Sequence, residues 1–358
     1  MKFIHIADVH LGAVPDSNKP WGILREKEIW SSFQTIINIC NSEKVDLLLI
    51  AGDLFHKQPL LRELKETNYL LSRLETAKVV IMAGNHDFIG PRSYYQDFIW
   101  DEKVHMFLAD TIELVEYPEL GVEVYGLSYR TRDITEPLYD VVKPGLQKQS
   151  NKINILLAHG GEEKNIPINK KALSEAGFDY VALGHIHKPE IINNKMAYVG
   201  SLEPLDKNEI GERGYILGEI TQEQGVKKTS IRFISSSVRE YKRVNLTVNQ
   251  DTTNGSLQDQ TREIMRAMGE QHIYLFVIQG IRDELMHFNK EGIKELGKVL
   301  EVLDESVQDY DFDALYRENV DNMIGLFIQK IRENPKQDSV ARKALYYGIE
   351  ALLGAKNK

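Results

Sequence analysis

The sequence predicts an α/β fold, and three observations carry that expectation. Short apolar runs recur along the first half of the chain, each too short for a helix and bounded by small or polar residues. Between them, apolar residues return at helical spacing. The 358 residues exceed the ~250–300 at which a single core usually stops growing, so one large domain with smaller appendages is expected.

The first strand is expected over residues 2–7. A helix follows with Ile29, Phe33, Ile36, Ile37 and Cys40 on one face, then a second strand over 46–51. Leu60, Leu64, Leu71 and Leu74 repeat the 3.6 period before a third strand over 78–83. Residues 121–125 read as another strand, ended by Gly126, and the runs at 153–158 and 179–183 complete the set. The polar break Ile234-Ser235-Ser236-Ser237 closes a main domain of residues 1–237. Beyond it Val244, Leu246 and Val248 alternate with polar residues, a helix is expected over 256–268, and a strand over 273–278. That is a small strand–helix–strand module within 238–282. From Asp283 the pattern reads as helical and highly charged through 358. Val320, Met323, Ile324, Phe327 and Ile331 form one apolar stripe there, and Leu345, Ile349 and Leu352 another.

Composition narrows the class. With 42% hydrophobic and 27% charged residues the chain reads as an ordinary globular protein. No run approaches the ~18–20 apolar residues that span a bilayer. The opening residues enter a strand without the apolar stretch or cleavage site of a signal peptide. Cys40, the only cysteine, reads as a core residue in a reducing compartment, so a cytoplasmic location is expected. The formal net charge of −9 runs against nucleic-acid binding, but a whole-chain charge does not describe a local groove, and bound cations invert the field inside one.

Chemistry gathers at the strand ends. The first strand ends in Asp8-Val9-His10, the second in Gly52-Asp53 and the third in Gly84-Asn85-His86-Asp87. His159-Gly160 follows the fourth core run, and Gly184-His185-Ile186-His187 the fifth. In layered α/β folds, sites form beyond the carboxyl ends of strands. Each motif alone is commonplace as a turn or a cap; five together deliver carboxylates, an amide and imidazoles to one place. That donor mixture suits a pair of divalent ions such as Mn²⁺, Fe²⁺ or Zn²⁺, which can share one carboxylate and polarise a bridging water.

This pattern over residues 1–200 resembles the full signature of the calcineurin-like metallophosphoesterases. The resemblance implies a metallophosphoesterase β-sandwich flanked by helices. It implies one ion held by Asp8, His10, Asp53 and His187, and a second by Asp53, Asn85, His159 and His185, with Asp53 bridging. His86 is then the catalytic histidine. Asp87 either orients His86 from outside the ligand shell or is a helix-start carboxylate.

The opening Phe3-Ile4-His5-Ile6-Ala7-Asp8-Val9-His10-Leu11-Gly12 looks like the start of the SbcD-type DNA repair nucleases and their archaeal and eukaryotic counterparts. Gly52-Asp53-Leu54-Phe55-His56 with Pro59, and Val199-Gly200-Ser201-Leu202-Glu203, resemble further segments of that group. There the histidine three after the bridging aspartate helps position the DNA backbone, a role expected of His56. Purple acid phosphatases carry a tyrosine at that position, so His56 argues against that branch. The resemblance further implies a DNA-capping domain over 238–282, a second copy of the chain as partner, and a tail over 283–358 that either docks an SbcC-like coiled-coil ATPase or packs on its own chain. The expected activity is a two-metal DNA exonuclease and endonuclease, Mn²⁺-dependent, cleaving phosphodiesters with a metal-bridging hydroxide as the nuclease subunit of a double-strand-break repair complex. Two rivals stand beside it: a phosphodiesterase or phosphatase on a small-molecule ester, and a non-catalytic scaffold for a repair ATPase.

Overall fold

The structure, a computed structural model, describes residues 1–142, 151–333 and 339–356. By internal contacts the chain divides into two compact units, Met1–Glu240 and Tyr241–Lys358.

The first unit runs β1 (Lys2–Ile6), α1 (Gly22–Ser42), β2 (Leu47–Ala51), α2 (Leu61–Ser72), β3 (Lys78–Met82), β4 (Val104–Met106), β5 (Glu113–Tyr117), β6 (Val122–Gly126) and β7 (Ile153–His159). It continues with α3 (Lys170–Glu175), β8 (Tyr180–Gly184), β9 (Glu190–Asn193), β10 (Met196–Tyr198), β11 (Gly214–Glu223) and β12 (Val226–Ser235). Two six-stranded sheets result, ordered β12-β11-β1-β2-β3-β4 and β5-β6-β7-β8-β10-β9. β1 to β4 pair in parallel, as do β6, β7, β8 and β10.

The central strands are apolar at nearly every position because both faces are buried. Alternation decides which face a residue serves. Phe3, Leu47, Leu49 and Val80 meet Val124, Ile155, Leu157 and Ala182 of the other sheet. Ile4, Ile6, Leu48, Ile50 and Val79 turn the opposite way, onto Ile29, Phe33, Ile36 and Leu71 of α1 and α2. The far face of the second sheet packs Leu156, Val181 and Leu183 against Tyr139, Leu173 and Phe178. The outcome is the expected β-sandwich flanked by helices. All five residues assigned to the buried face of α1 lie there, Cys40 included. Leu60 departs from its expected place: it is 44% exposed, because it is the N-cap of α2 and stands outside the helical stripe.

The second unit runs β13 (Tyr241–Val248), α4 (Asn254–Met268), β14 (Ile273–Arg282), α5 (Lys290–Lys294), β15 (Val299–Asp304), β16 (Val307–Gln308), α6 (Phe312–Glu318), α7 (Met323–Arg332) and α8 (Ser339–Lys356). β13, β14 and β15 form a parallel sheet, with β16 pairing the end of β14. A reciprocal Thr253–Ser256 capping box starts α4, whose Leu257 and Met265 cover Leu246, Phe276 and Ile278 of the sheet. The segment after Asp283 is therefore not helical throughout: the strand β15 falls inside it and belongs to this sheet. The first tail stripe also shifts. Ile324, Gly325 and Ile328 are the buried positions of α7, whereas Met323 and Val320 are exposed, the latter preceding the helix. Ile349 of α8 is buried against them, with Leu345 and Leu352 partly so.

Candidate metal centre

Four of the expected ligands sit in strained backbone. Asp8, His10, Asp53 and His185 have φ of +50°, +51°, +48° and +91°, the left-handed region that side chains with a Cβ avoid. Such conformations cost on the order of 1–3 kcal/mol each and persist where surrounding structure over-determines them. Here the loops beyond β1 and β2 are tied together: Asp8 N–H donates to the Gly52 carbonyl at 3.1 Å, His10 N–H to Asp53 at 3.1 Å, and Leu11 N–H to Leu54 at 2.9 Å. The turn at Gly52 (φ +88°) needs glycine twice over, since a Cβ there would stand 2.3 Å from His159 Nδ1.

The side chains converge from five strand ends. Asp53 Oδ2 lies 3.5 Å from His159 Nε2 and 3.8 Å from His10 Nε2, within reach of both groups of imidazoles. Its Oδ1 accepts the His86 N–H at 2.8 Å. Asp8 accepts the His185 N–H with both oxygens, at 3.1 and 3.0 Å. Asn85 Oδ1 stands 3.0 Å from both His159 Nε2 and His185 Nδ1. His10 Nε2 and His187 Nε2 are 3.1 Å apart. Ligand atoms of Asp8, His10 and His187, and separately of Asp8, Asp53 and His159, lie within 4.8 Å of one another.

The outward ring nitrogens are occupied: His159 Nδ1 by the Ala51 carbonyl at 2.9 Å, His187 Nδ1 by Glu209 at 2.6 Å. An imidazole that donates outward keeps its inner lone pair for an electrophile, and lone pairs aimed at one another are what a cation relieves. The residues present therefore fit a pair of divalent ions.

Electrostatics point the same way. Burial raises the Asp8 carboxyl to about 6. Burial would raise Asp53 as well, but His159 and His10 outweigh it and hold that carboxyl far below the usual range. His159 and His187 are lowered by burial, then carried up to about 9 by Asp53 and by Glu209 with Asp8 respectively. Burial pushes His10 well down and His185 to about 4. Protons are thus shared unevenly around a buried cluster of opposite charges, the place that bound cations would take.

His56 and His86 lie beside the cluster on its more open side. Their rings stack with centroids 5.5 Å apart, and His56 Nδ1 is 3.4 Å from His10 Nδ1. His86 Nδ1 meets the His56 carbonyl at 3.1 Å. Asp87 takes neither of its expected roles. No helix begins there, and its buried carboxylate accepts from Gly84 N–H at 2.8 Å, Tyr95 O–H at 2.9 Å and Phe55 N–H at 3.2 Å, bracing the loops rather than the His86 ring. Two carboxylates in contact with expected ligand histidines were not foreseen: Glu209 on His187, and Glu162 at 3.3 Å from His185 Nε2. Glu209 follows shortly after the Val199–Glu203 segment, the one signal that pointed near it.

A two-sheet sandwich that gathers acidic and imidazole side chains at its strand ends is the arrangement expected of a metal-dependent phosphoesterase. The sequence profile of the calcineurin-like phosphoesterase family matches residues 1–189, and the chain belongs to that family. Similar curated proteins include the uncharacterized metallophosphoesterase YhaO of Bacillus subtilis, 28% identical over 242 residues, 62% of this chain and 58% of that protein. DNA double-strand break repair protein Mre11 of Methanocaldococcus jannaschii is 30% identical over 266 residues, 69% of each chain. The SbcD component of nuclease SbcCD from Staphylococcus epidermidis is 27% identical over 265 residues, 64% of this chain and 69% of that protein. The chain spans less than two thirds of some relatives' length, 58% of YhaO and 56% of the Archaeoglobus fulgidus Mre11. Among the described residues no helix is long and apolar enough to cross a membrane.

Proposed function

We propose that this chain is a two-metal DNA exonuclease and endonuclease, the nuclease subunit of a double-strand-break repair assembly. The observation that carries the reading is the convergence of two aspartates, an asparagine and four histidines on one buried centre with two further imidazoles beside it. Asp8, His10, Asp53 and His187 would hold one ion, and Asp53, Asn85, His159 and His185 the other. When bound, such a pair supplies a polarised phosphate oxygen and a water made nucleophilic near neutral pH. Mn²⁺ is the proposed ion, since a mixed oxygen and imidazole donor set accepts it.

The protein's own groups do the rest. His86, anchored through Nδ1 to the His56 carbonyl, presents its remaining nitrogen to donate a proton to the departing alkoxide. His56, exposed and stacked on His86, steers the phosphate backbone beside it. The names of the Mre11 and SbcCD relatives, a DNA double-strand break repair protein and a nuclease subunit, support DNA as the substrate and a further subunit as partner, for which an SbcC-like coiled-coil ATPase is proposed. A cytoplasmic site of action, a second copy of the chain and a capping role for the β13–β15 sheet belong to the same reading. Partner docking on the tail is supported by a groove of about 720 Å³ between α7 and α8, lined by Met323, Leu326, Phe327 and Leu352.

A diesterase acting on a small ester would use the same centre, and YhaO, similar over 62% of the chain, carries no assigned substrate in its name. The deciding experiment is Mn²⁺-supplemented hydrolysis of linear duplex and hairpin DNA beside bis-p-nitrophenyl phosphate, for wild type and His86→Ala. The nuclease reading expects DNA cleavage that falls roughly 10²–10⁴-fold in the variant while Mn²⁺ binding is kept. Turnover of the small diester with DNA left intact would favour the small-ester reading. An undiminished rate in His86→Ala would remove that residue from the mechanism.

A further inference from the structure

The loop between β10 and β11, residues 199–213, contributes none of the proposed ligands, yet it grips one of them at two points. Glu209 Oε1 lies 2.6 Å from His187 Nδ1, and Ser201 N–H donates to the His187 carbonyl at 3.0 Å. The other Glu209 oxygen is fixed in turn, accepting Leu205 N–H at 3.0 Å and the Ser201 hydroxyl at 3.3 Å, with Arg213 Nε at 3.8 Å. The side chains of His187 and Glu209 are only 26% and 15% exposed, so this is not a screened surface pair. On the opposite side of the ring, His187 Nε2 faces His10 Nε2 at 3.1 Å and Asp8 Oδ1 at 4.0 Å.

A carboxylate that accepts from Nδ1–H fixes the imidazole tautomer, leaves the lone pair on Nε2, and makes that nitrogen a stronger donor. We infer that Glu209 is a positioning residue for the metal centre, holding His187 so that Nε2 points at the ion it shares with Asp8 and His10. The inference rests on the two-ion reading above and adds to it a residue outside the ligand set. It also gives the Gly200-Ser201 segment a purpose: the loop is folded so that one carboxylate reaches a ligand from behind. Glu209 touches neither ion nor ester and acts only through His187.

The test titrates Mn²⁺ into the full chain as wild type, Glu209→Gln and Glu209→Ala, following free ion by electron paramagnetic resonance. The thermal midpoint of each chelator-treated protein is measured alongside. Wild type is expected to bind two ions; in Glu209→Ala one of them weakens roughly 10–100-fold and the other stays within about threefold, with Glu209→Gln between the two. Two wild-type affinities in Glu209→Ala overturn the proposal and leave the two-ion reading standing. Equal weakening of both ions, with the metal-free midpoint of both variants lowered by more than about 5 °C, also overturns it, because the loop would then be acting as structure alone. A wild type that binds fewer than two ions removes the two-ion reading and this inference with it.

Discussion

Gly84 shows how little space the centre leaves. A Cβ built there would stand 2.2 Å from Asp53 Oδ1 and 2.7 Å from His159 Nε2, so the residue before Asn85 has to be glycine for the ligands to close in. Gly84→Ala is expected to push Asp53 aside and cost roughly 100-fold in diester hydrolysis, the usual penalty of a 1 Å misplacement. Mn²⁺ content and rate measured together check this; a folded variant with wild-type rate would show that the centre yields. At this scale the residues that converge on the centre were legible in the sequence, because each follows an apolar run and carries the right chemistry. Asp87 was not. Its neighbour in sequence is His86, but adjacent side chains need not point the same way, and two of the three groups that meet it, Phe55 and Tyr95, come from elsewhere along the chain. The positive φ values at Asp8, His10, Asp53 and His185 were not foreseen either: Asp and His enter that region more readily than most side chains, but residue type alone does not require it.

At the scale of elements, six of the twelve strands of the sandwich, β1–β3 and β6–β8, announced themselves through apolar runs, and β4, β5 and β9–β12 were found only in the fold. β15 gave no such signal. Its buried residues are Val299 and Val302, three apart, a spacing that a helix shares. A register shift between Tyr274 and Leu275 of β14 breaks the alternation that would have marked it as a strand. This moves the place where the tail can be cut. A chain ending at Arg282 would strip β15 and β16 from β14, whereas one ending at Asp309 keeps the whole sheet. The chain ending at Asp309 is expected to retain hydrolysis of the small diester and to lose co-purification with an SbcC-like ATPase. Undiminished co-purification would remove docking from α6–α8 and leave them packing on their own unit.

Across the first unit as a whole, one buried charged network ties distant segments together. Arg25 of α1 is fully buried and donates to Glu28 at 2.7 Å and to the Pro204 carbonyl at 2.6 Å. Glu203 accepts from Ser32 at 2.6 Å and from Val238 N–H at 2.6 Å, while Arg239 pairs with Glu28 at 2.8 Å. Burial raises the Glu203 carboxyl to about 7 from an ordinary 4.5. Between those values the folded protein holds a proton that the unfolded chain has released, so this group's contribution to stability falls as pH rises through that window. Glu203→Gln, which mimics the protonated form, should gain on wild type by on the order of 2 kcal/mol between pH 4.5 and 7. Urea midpoints of the two proteins across that range measure it, and titrations common to both cancel in the difference. Parallel profiles would show that Glu203 stays charged beside Arg25.

A layered α/β architecture, the buried face of α1 and the residues at the strand ends were written in the sequence, because strand-length apolar runs and helical periodicity are properties of neighbours along the chain, whereas the sandwich was implied by the family resemblance. The sequence by itself also determined the donor chemistry, since carboxylate, amide and imidazole are written in residue type. Only the tertiary structure decided which ring nitrogen faces inward, that Glu209 stands behind His187, and that β15 completes the second sheet. Each of these depends on where residues far apart in sequence come to rest, and on backbone angles held by contacts that no local pattern encodes.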